Sequence, residues 1–136
     1  MDLNNAIAIA ASGLKAESGR MRVISENIAN ADSTARGAGG DPYRRKIPTF
    51  DSHLDSELDA NLVALGRTAR DKSDFRLQYE PGNPAADAKG YVKMPNVNPL
   101  VEQMDMREAQ RSYEANLNVI GAARRMIART LDILRG

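Results

Sequence analysis

His53 stands between Asp51 and Asp55, with Glu57 and Asp59 close behind, and this is the chain's nearest approach to a catalytic or metal-binding cluster. Zinc centres draw on several histidines or cysteines, and the chain has one histidine and no cysteine. The carboxylates at 55, 57 and 59 have no neighbouring apolar run that would split their pKa values into an acid and a base. Gly37-Ala38-Gly39-Gly40 runs into Asp41-Pro42 with no Gly-Lys-Ser/Thr after it, so it is no phosphate cradle. Arg124, Arg125 and Arg129 could hold phosphate, but acids early and arginines late along one helix already complement its dipole. No catalytic residue, metal ligand or cofactor is therefore expected, and no nucleic acid partner.

What the residues do supply is a pair of apolar seams. Leu3, Ile7, Ala10, Leu14, Met21, Ile24, Ile28 and Ala31 recur at steps of four and three, interrupted only by Glu17. Met106, Tyr113, Leu117, Ile120, Ile127, Leu131 and Leu134 repeat the rhythm near the end, with Gln110 and Arg124 as the exceptions. That spacing predicts two long helices of coiled-coil character, over about 3–31 and from 98 onward. Asp2 is placed to cap the first, and Asn98-Pro99 opens the last. Gly13 and Gly19 inside the first helix fit either close helix approach or simple tolerance.

The fold expected is mainly α: long N- and C-terminal helices packed together, with a small β-containing lobe inserted between them. The corresponding segments are 1–34, 35–97 and 98–136. In the middle one, Phe75 to Tyr79 alternates as a strand, Glu80-Pro81-Gly82-Asn83-Pro84 reads as a turn, and Tyr91 to Met94 is a second extended piece. Leu54, Leu58, Leu62 and Leu65 follow helical spacing, which on local pattern predicts a short helix.

Each segment is close to neutral, and the net charge is +1, which gives no electrostatic reason for an anionic membrane surface as partner. The longest apolar run, Ala6 to Ala11, falls far short of a membrane span, and Asp2 sits where a secretory signal would carry positive charge. Seams of roughly 40–55 Å, at about 1.5 Å per residue, exceed any core this middle segment can build. Ala6-Ile7-Ala8-Ile9-Ala10-Ala11 is apolar on all sides. The excess surface is expected to meet other subunits.

Three stretches carry a resemblance. Asn27-Ile28-Ala29-Asn30-Ala31 resembles the signature of the bacterial flagellar rod and hook axial proteins. Tyr79-Glu80-Pro81-Gly82-Asn83-Pro84, with Gly90-Tyr91 and Met94-Pro95-Asn96, is similar to a segment particular to the proximal-rod member of that family. Arg111-Ser112-Tyr113-Glu114-Ala115-Asn116 resembles its last-helix motif. The insertion Ser33 to Asp41 before Pro42-Tyr43 departs from most of the family and also looks like the proximal-rod member.

The resemblance implies a structural subunit of the flagellar basal-body rod, assembling helically through its terminal helices and transmitting torque from motor to hook. It implies copies of itself and other rod proteins as partners. It also implies the flagellar type III export apparatus and rod-assembly factors, with export lacking a cleaved signal and residence in the periplasm-spanning rod. Subunit packing is then expected at Leu3, Ile7, Leu14, Met21, Ile24, Ile28, Tyr113, Leu117, Ile120, Ile127, Leu131 and Leu134. By the same analogy Leu62 to Leu65 belongs to a strand. A non-polymerising helical hairpin that binds one partner is the alternative. A wall-cutting hydrolase would need an acid–base pair that only Glu57 and Asp59 could approximate.

Overall fold

The computed structural model describes residues 2–136. Two helices dominate it, α1 (Leu3–Ala29) and α2 (Pro99–Arg135); they pack together, and the chain between them is a small β-containing middle region. The local signals act as expected. Asp2 accepts the Asn4 N–H on its carboxylate and the Ala6 N–H on its carbonyl, closing the first turn of α1. The Asn98 side chain accepts the Leu100 N–H, and Pro99 occupies the position where a missing N–H costs nothing. α1 stops two residues short of the expected Ala31. Asn30 turns its amide back onto the Glu26 carbonyl at 2.9 Å, and Ser33 donates to the Asn30 carbonyl.

The chain divides into two compact units, and both helices contribute to each. The first contains residues up to 21, 49–67 and 107 onward. Its sheet is an antiparallel hairpin, β2 (Phe50–Asp55) with β3 (Ala60–Leu65), in the register His53 opposite Leu62. This corrects the helix predicted from the leucine spacing and agrees with the strand expected by analogy at Leu62 to Leu65. The reason is partly local. Asp55 accepts the N–H groups of Glu57 and Leu58, an Asx turn that competes with helix, and Asp59 takes the left-handed conformation at φ 46°. The rest is tertiary. Asn5 on α1 donates to the Leu58 carbonyl, and Ser12 accepts the Val63 N–H, so the helix supplies bonds that the turn and β3 could not make alone.

Both glycines of α1 prove to be sites of close approach. A Cβ on Gly19 would lie 2.7 Å from Leu65 Cδ2, and one on Gly13 would lie 2.7 Å from Asn116 Nδ2. Leu65 therefore seats against bare backbone, and so does Asn116.

The second unit holds residues 22–48 and 68–106. In it β1 (Lys46–Ile47) pairs with β4 (Ala69–Arg70), and β5 (Arg76–Tyr79) pairs antiparallel with β6 (Tyr91–Met94). Val92 and Met94 point inward onto Ala85, with Ala35 and Ala86 at the margin. The turn between the strands is tied down by side chains. Asn83 accepts the Ala85 N–H, and Asp87 accepts those of Lys89 and Tyr91. Gly90 sits at φ 84°, where any Cβ would also fall 2.8 Å from the Tyr79 ring.

Candidate functional site

The polar cluster around His53 does not converge. His53 and Asp51 lie exposed on β2, Glu57 and Asp59 are exposed in the hairpin turn, and Asp55 spends its carboxylate on that turn. Among the described residues no group of histidine, cysteine or carboxylates has metal-binding geometry.

The converging side chains are elsewhere, around Asn27 in the second unit. Asn27 is fully buried, and its amide is saturated. Its Nδ2 donates to the Lys46 carbonyl at 2.8 Å and to Glu102 Oε2 at 3.1 Å. Its Oδ1 accepts the Tyr43 hydroxyl at 2.7 Å and the Lys46 N–H at 2.9 Å. One side chain thus supplies both halves of a β-ladder rung to the 43–46 segment and also binds α2. Only a primary amide offers two donors and two acceptors in this space.

Glu102, 1 % exposed, is the second centre. Its free oxygen takes a hydrogen bond from Arg45 Nε. The Arg45 guanidinium extends to Asp71 at 3.5 Å and Asp105 at 3.6 Å, while the Arg45 N–H donates to Asn96 Oδ1. Asn96 in turn donates to the Asp71 and Ser73 carbonyls. Burial opposes the Arg45 charge, but the hydrogen bond and charge of Glu102, helped by Asp71 and Asp105, hold its pKa above the ordinary guanidinium value. The backbone N–H and hydroxyl of Ser73, with Arg45 beyond, hold Asp71 below the usual carboxylate range. Arg44 stacks on the Phe75 ring at 4.2 Å.

Burial, with Glu26 and Glu102 nearby, pushes the Tyr43 hydroxyl up to about 12. Because the folded pKa lies above the ordinary value of about 10, this tyrosine's contribution is intact below pH 10 and is lost as pH rises toward 12. Ultraviolet titration should resolve one tyrosinate forming near pH 12, and Tyr43→Phe should remove that step. Its persistence in the variant would refute the assignment.

The motif residues divide between this clamp and surfaces. Asn27 and Asn96 are in the clamp, and Asn30 closes α1. Ile28 is half-buried, and Ala29 is exposed. Pro81, Gly82, Asn83 and Pro84 form the β5–β6 turn, Met94 and Pro95 are buried, and Tyr79 meets Tyr91 edge-on at 5.3 Å. On α2, Ser112 and Asn116 line a groove with Gly13, Tyr113 is half-buried, and Glu114 is exposed. Sequence reading missed Tyr43, Arg45, Asp71 and above all Glu102, one of the early acids of the last helix that the dipole already accounted for. The adjacent Tyr43-Arg44-Arg45 was the available hint.

The seams are only partly covered. Ile24 is buried, while Leu3, Ile7, Leu14, Met21, Tyr113, Ile120 and Ile127 are half-buried. Leu117, Leu131 and Leu134 are exposed, together with Val119, Met126 and Ile133. Aliphatic side chains therefore stand bare along the C-terminal half of α2.

Residues 7–36 match the family described as "Flagella basal body rod protein", and residues 88–133 match "Flagellar basal body rod FlgEFG protein C-terminal". The flagellar basal-body rod protein FlgC of Agrobacterium fabrum is 53% identical over 98% of this chain and 96% of its own length. The chain belongs to the FlgC family. The FlgC proteins of Escherichia coli O6:H1 and Bacillus subtilis are 41% and 39% identical, over 98% and 95% of this chain and 98% and 96% of their own lengths. As a FlgC family member it is a structural subunit of the flagellar basal-body rod, and the discrete helical-hairpin binder is the disfavoured reading. The family places it in the flagellar basal body, associated with other rod components, and no described helix is long and apolar enough to cross a membrane.

Proposed function

We propose that this FlgC family member builds a stretch of rod by packing its terminal helices against copies of itself and neighbouring rod proteins, and that the result is a passive shaft carrying torque from motor to hook. The observation that carries this reading is the aliphatic surface left open on α2, from Leu117 to Leu134, in the isolated chain. A head-to-tail contact between such surfaces does not close on itself and propagates as a helical array. The division of labour would follow the segments 1–34 and 98–136 as an inner helical domain, with 35–97 as an outer lobe. The Asn27–Glu102 clamp would hold the 43–46 segment on α1 and α2 of the second unit under load.

The role is non-catalytic, so Glu57→Gln with Asp59→Asn should leave swimming unchanged. Export would proceed through the flagellar type III apparatus without a cleaved signal, to the periplasm-spanning rod, with rod-assembly factors as transient partners. Ordering is expected to be coupled to assembly at the helix ends, where the seams lack partners. Limited proteolysis of the dilute chain, with circular dichroism before and after concentration, tests this. Early cuts before residue 21 and after residue 107, suppressed as concentration rises, support the reading. Ends that resist cleavage at every concentration, on a particle of fixed small size, would overturn it in favour of the discrete binder.

A further inference from the structure

In the first unit an open groove of about 450 Å³ runs between α1, α2 and the β2–β3 hairpin. Ile9, Phe50 and Val63 give it apolar walls, and Ser112 and Asn116 give it a polar side. Glu17, the one charge in the α1 seam, lines the same groove. Its side chain is 13 % exposed, yet Oε2 is buried without a hydrogen-bond donor. The nearest cation, Arg20, stands 3.5 Å away and is shared with Glu108 at 3.7 Å, which leaves two carboxylates against one guanidinium. A buried carboxylate so poorly satisfied is costly unless a further donor arrives.

The same unit exposes a complementary element. Along α2, Ala122, Arg125, Met126, Arg129 and Ile133 follow the i, i+3, i+4, i+7, i+11 pattern and so share one ridge. Met126 is 54 % exposed and Ile133 79 %, and Arg129 between them takes part in none of the ion pairs of the described residues. An apolar ridge carrying two cations outside those ion pairs, Arg125 and Arg129, fits an apolar groove carrying one under-paired anion, and Arg129 is the one set between Met126 and Ile133.

We propose that the α2 ridge of a second copy of this chain seats in the groove, with Met126 and Ile133 against the apolar walls and Arg129 on Glu17. The contact is heterologous: each copy offers its groove to one neighbour and its ridge to another. It deepens the rod-subunit reading and rests on it, adding a partner and a register.

The test is sedimentation velocity of the full chain over rising concentration. Glu17→Arg and Arg129→Glu should each weaken self-association by about tenfold or more, and Glu17→Gln, which keeps the side-chain shape, should weaken it in the same direction. An equimolar mixture of Glu17→Arg with Arg129→Glu chains should associate more strongly than either alone, because one reversed pair regains attraction. The double variant should come within about threefold of the parent. A mixture no stronger than its components, or a parent chain that does not self-associate, overturns the proposal. The rod reading falls separately, if Leu117→Asp leaves swimming intact or if the helix ends resist cleavage at every concentration.

Discussion

Asn27→Leu should destabilise the second unit on the order of 3–5 kcal/mol, the largest single-residue effect expected in this chain. The substitution keeps side-chain volume near the original and removes all four hydrogen bonds at once. It strands the Lys46 N–H and carbonyl, the Tyr43 hydroxyl and one oxygen of Glu102 in a site largely withdrawn from water. Each buried group left unpaired costs roughly 1–3 kcal/mol, and loss of a partner beside a buried charge raises that further. Against a total stability of about 5–15 kcal/mol for an ordinary domain, such a loss takes a large share of the whole.

Urea denaturation followed by circular dichroism gives the magnitude, and tryptic cleavage after Arg44 and Arg45 gives the location. Asn27→Asp sharpens the argument, because it matches Asn in shape and removes only the two donors. It also faces Glu102 with a second carboxylate, so it should fall in the same destabilised range. Midpoints within about 0.5 kcal/mol of the parent for either variant would refute the clamp.

Leu117→Asp should abolish rod assembly while leaving synthesis of the chain intact. Leu117 is 46 % exposed in the isolated chain, so the aspartate meets water there and costs within about 0.5 kcal/mol. On the proposed helix packing the same position is enclosed by a neighbour in the rod, and burying an unpaired carboxylate costs several kcal/mol. A loss of about 3 kcal/mol at one repeated contact weakens it more than a hundredfold. Swimming-plate expansion of cells carrying only the variant, with an immunoblot for the protein, separates assembly from synthesis. Normal swimming would refute the packing role of this seam. Ile28→Asp is a less clean probe, because Ile28 is half-buried within the chain and its loss also perturbs the fold.

Other expected losses are smaller and follow from the same chemistry. Asp71, whose pKa is depressed, contributes above the ordinary carboxylate range and stops contributing as pH falls through its folded value. Together with Tyr43 at the alkaline end, it marks the two sides on which the clamp weakens.

The parts legible in the sequence were those whose determinants are close neighbours in the chain. Helix placement followed from seam spacing and from caps that bond within four residues, as at Asp2 and Asn98. The β5–β6 turn followed from Pro81, Gly82 and Asn83, and the family from three short motifs. Unpartnered seams could be inferred from length alone, because a long helix outruns a small core.

Tertiary structure decided what depends on groups far apart in sequence. Residues 54–65 carry a leucine spacing compatible with helix, and they form a hairpin because Asn5 and Ser12, each more than fifty residues from its partner, bond to that segment. Glu102 looks like any acid in a first helical turn. Asn27, 75 positions away, and Arg45 make it a buried anchor, since a carboxylate enters a core only where donors already converge. Glu17 likewise becomes a distinct charge only once α1, α2 and the hairpin enclose it, because burial and pairing are set by the packed neighbours and not by the residue type.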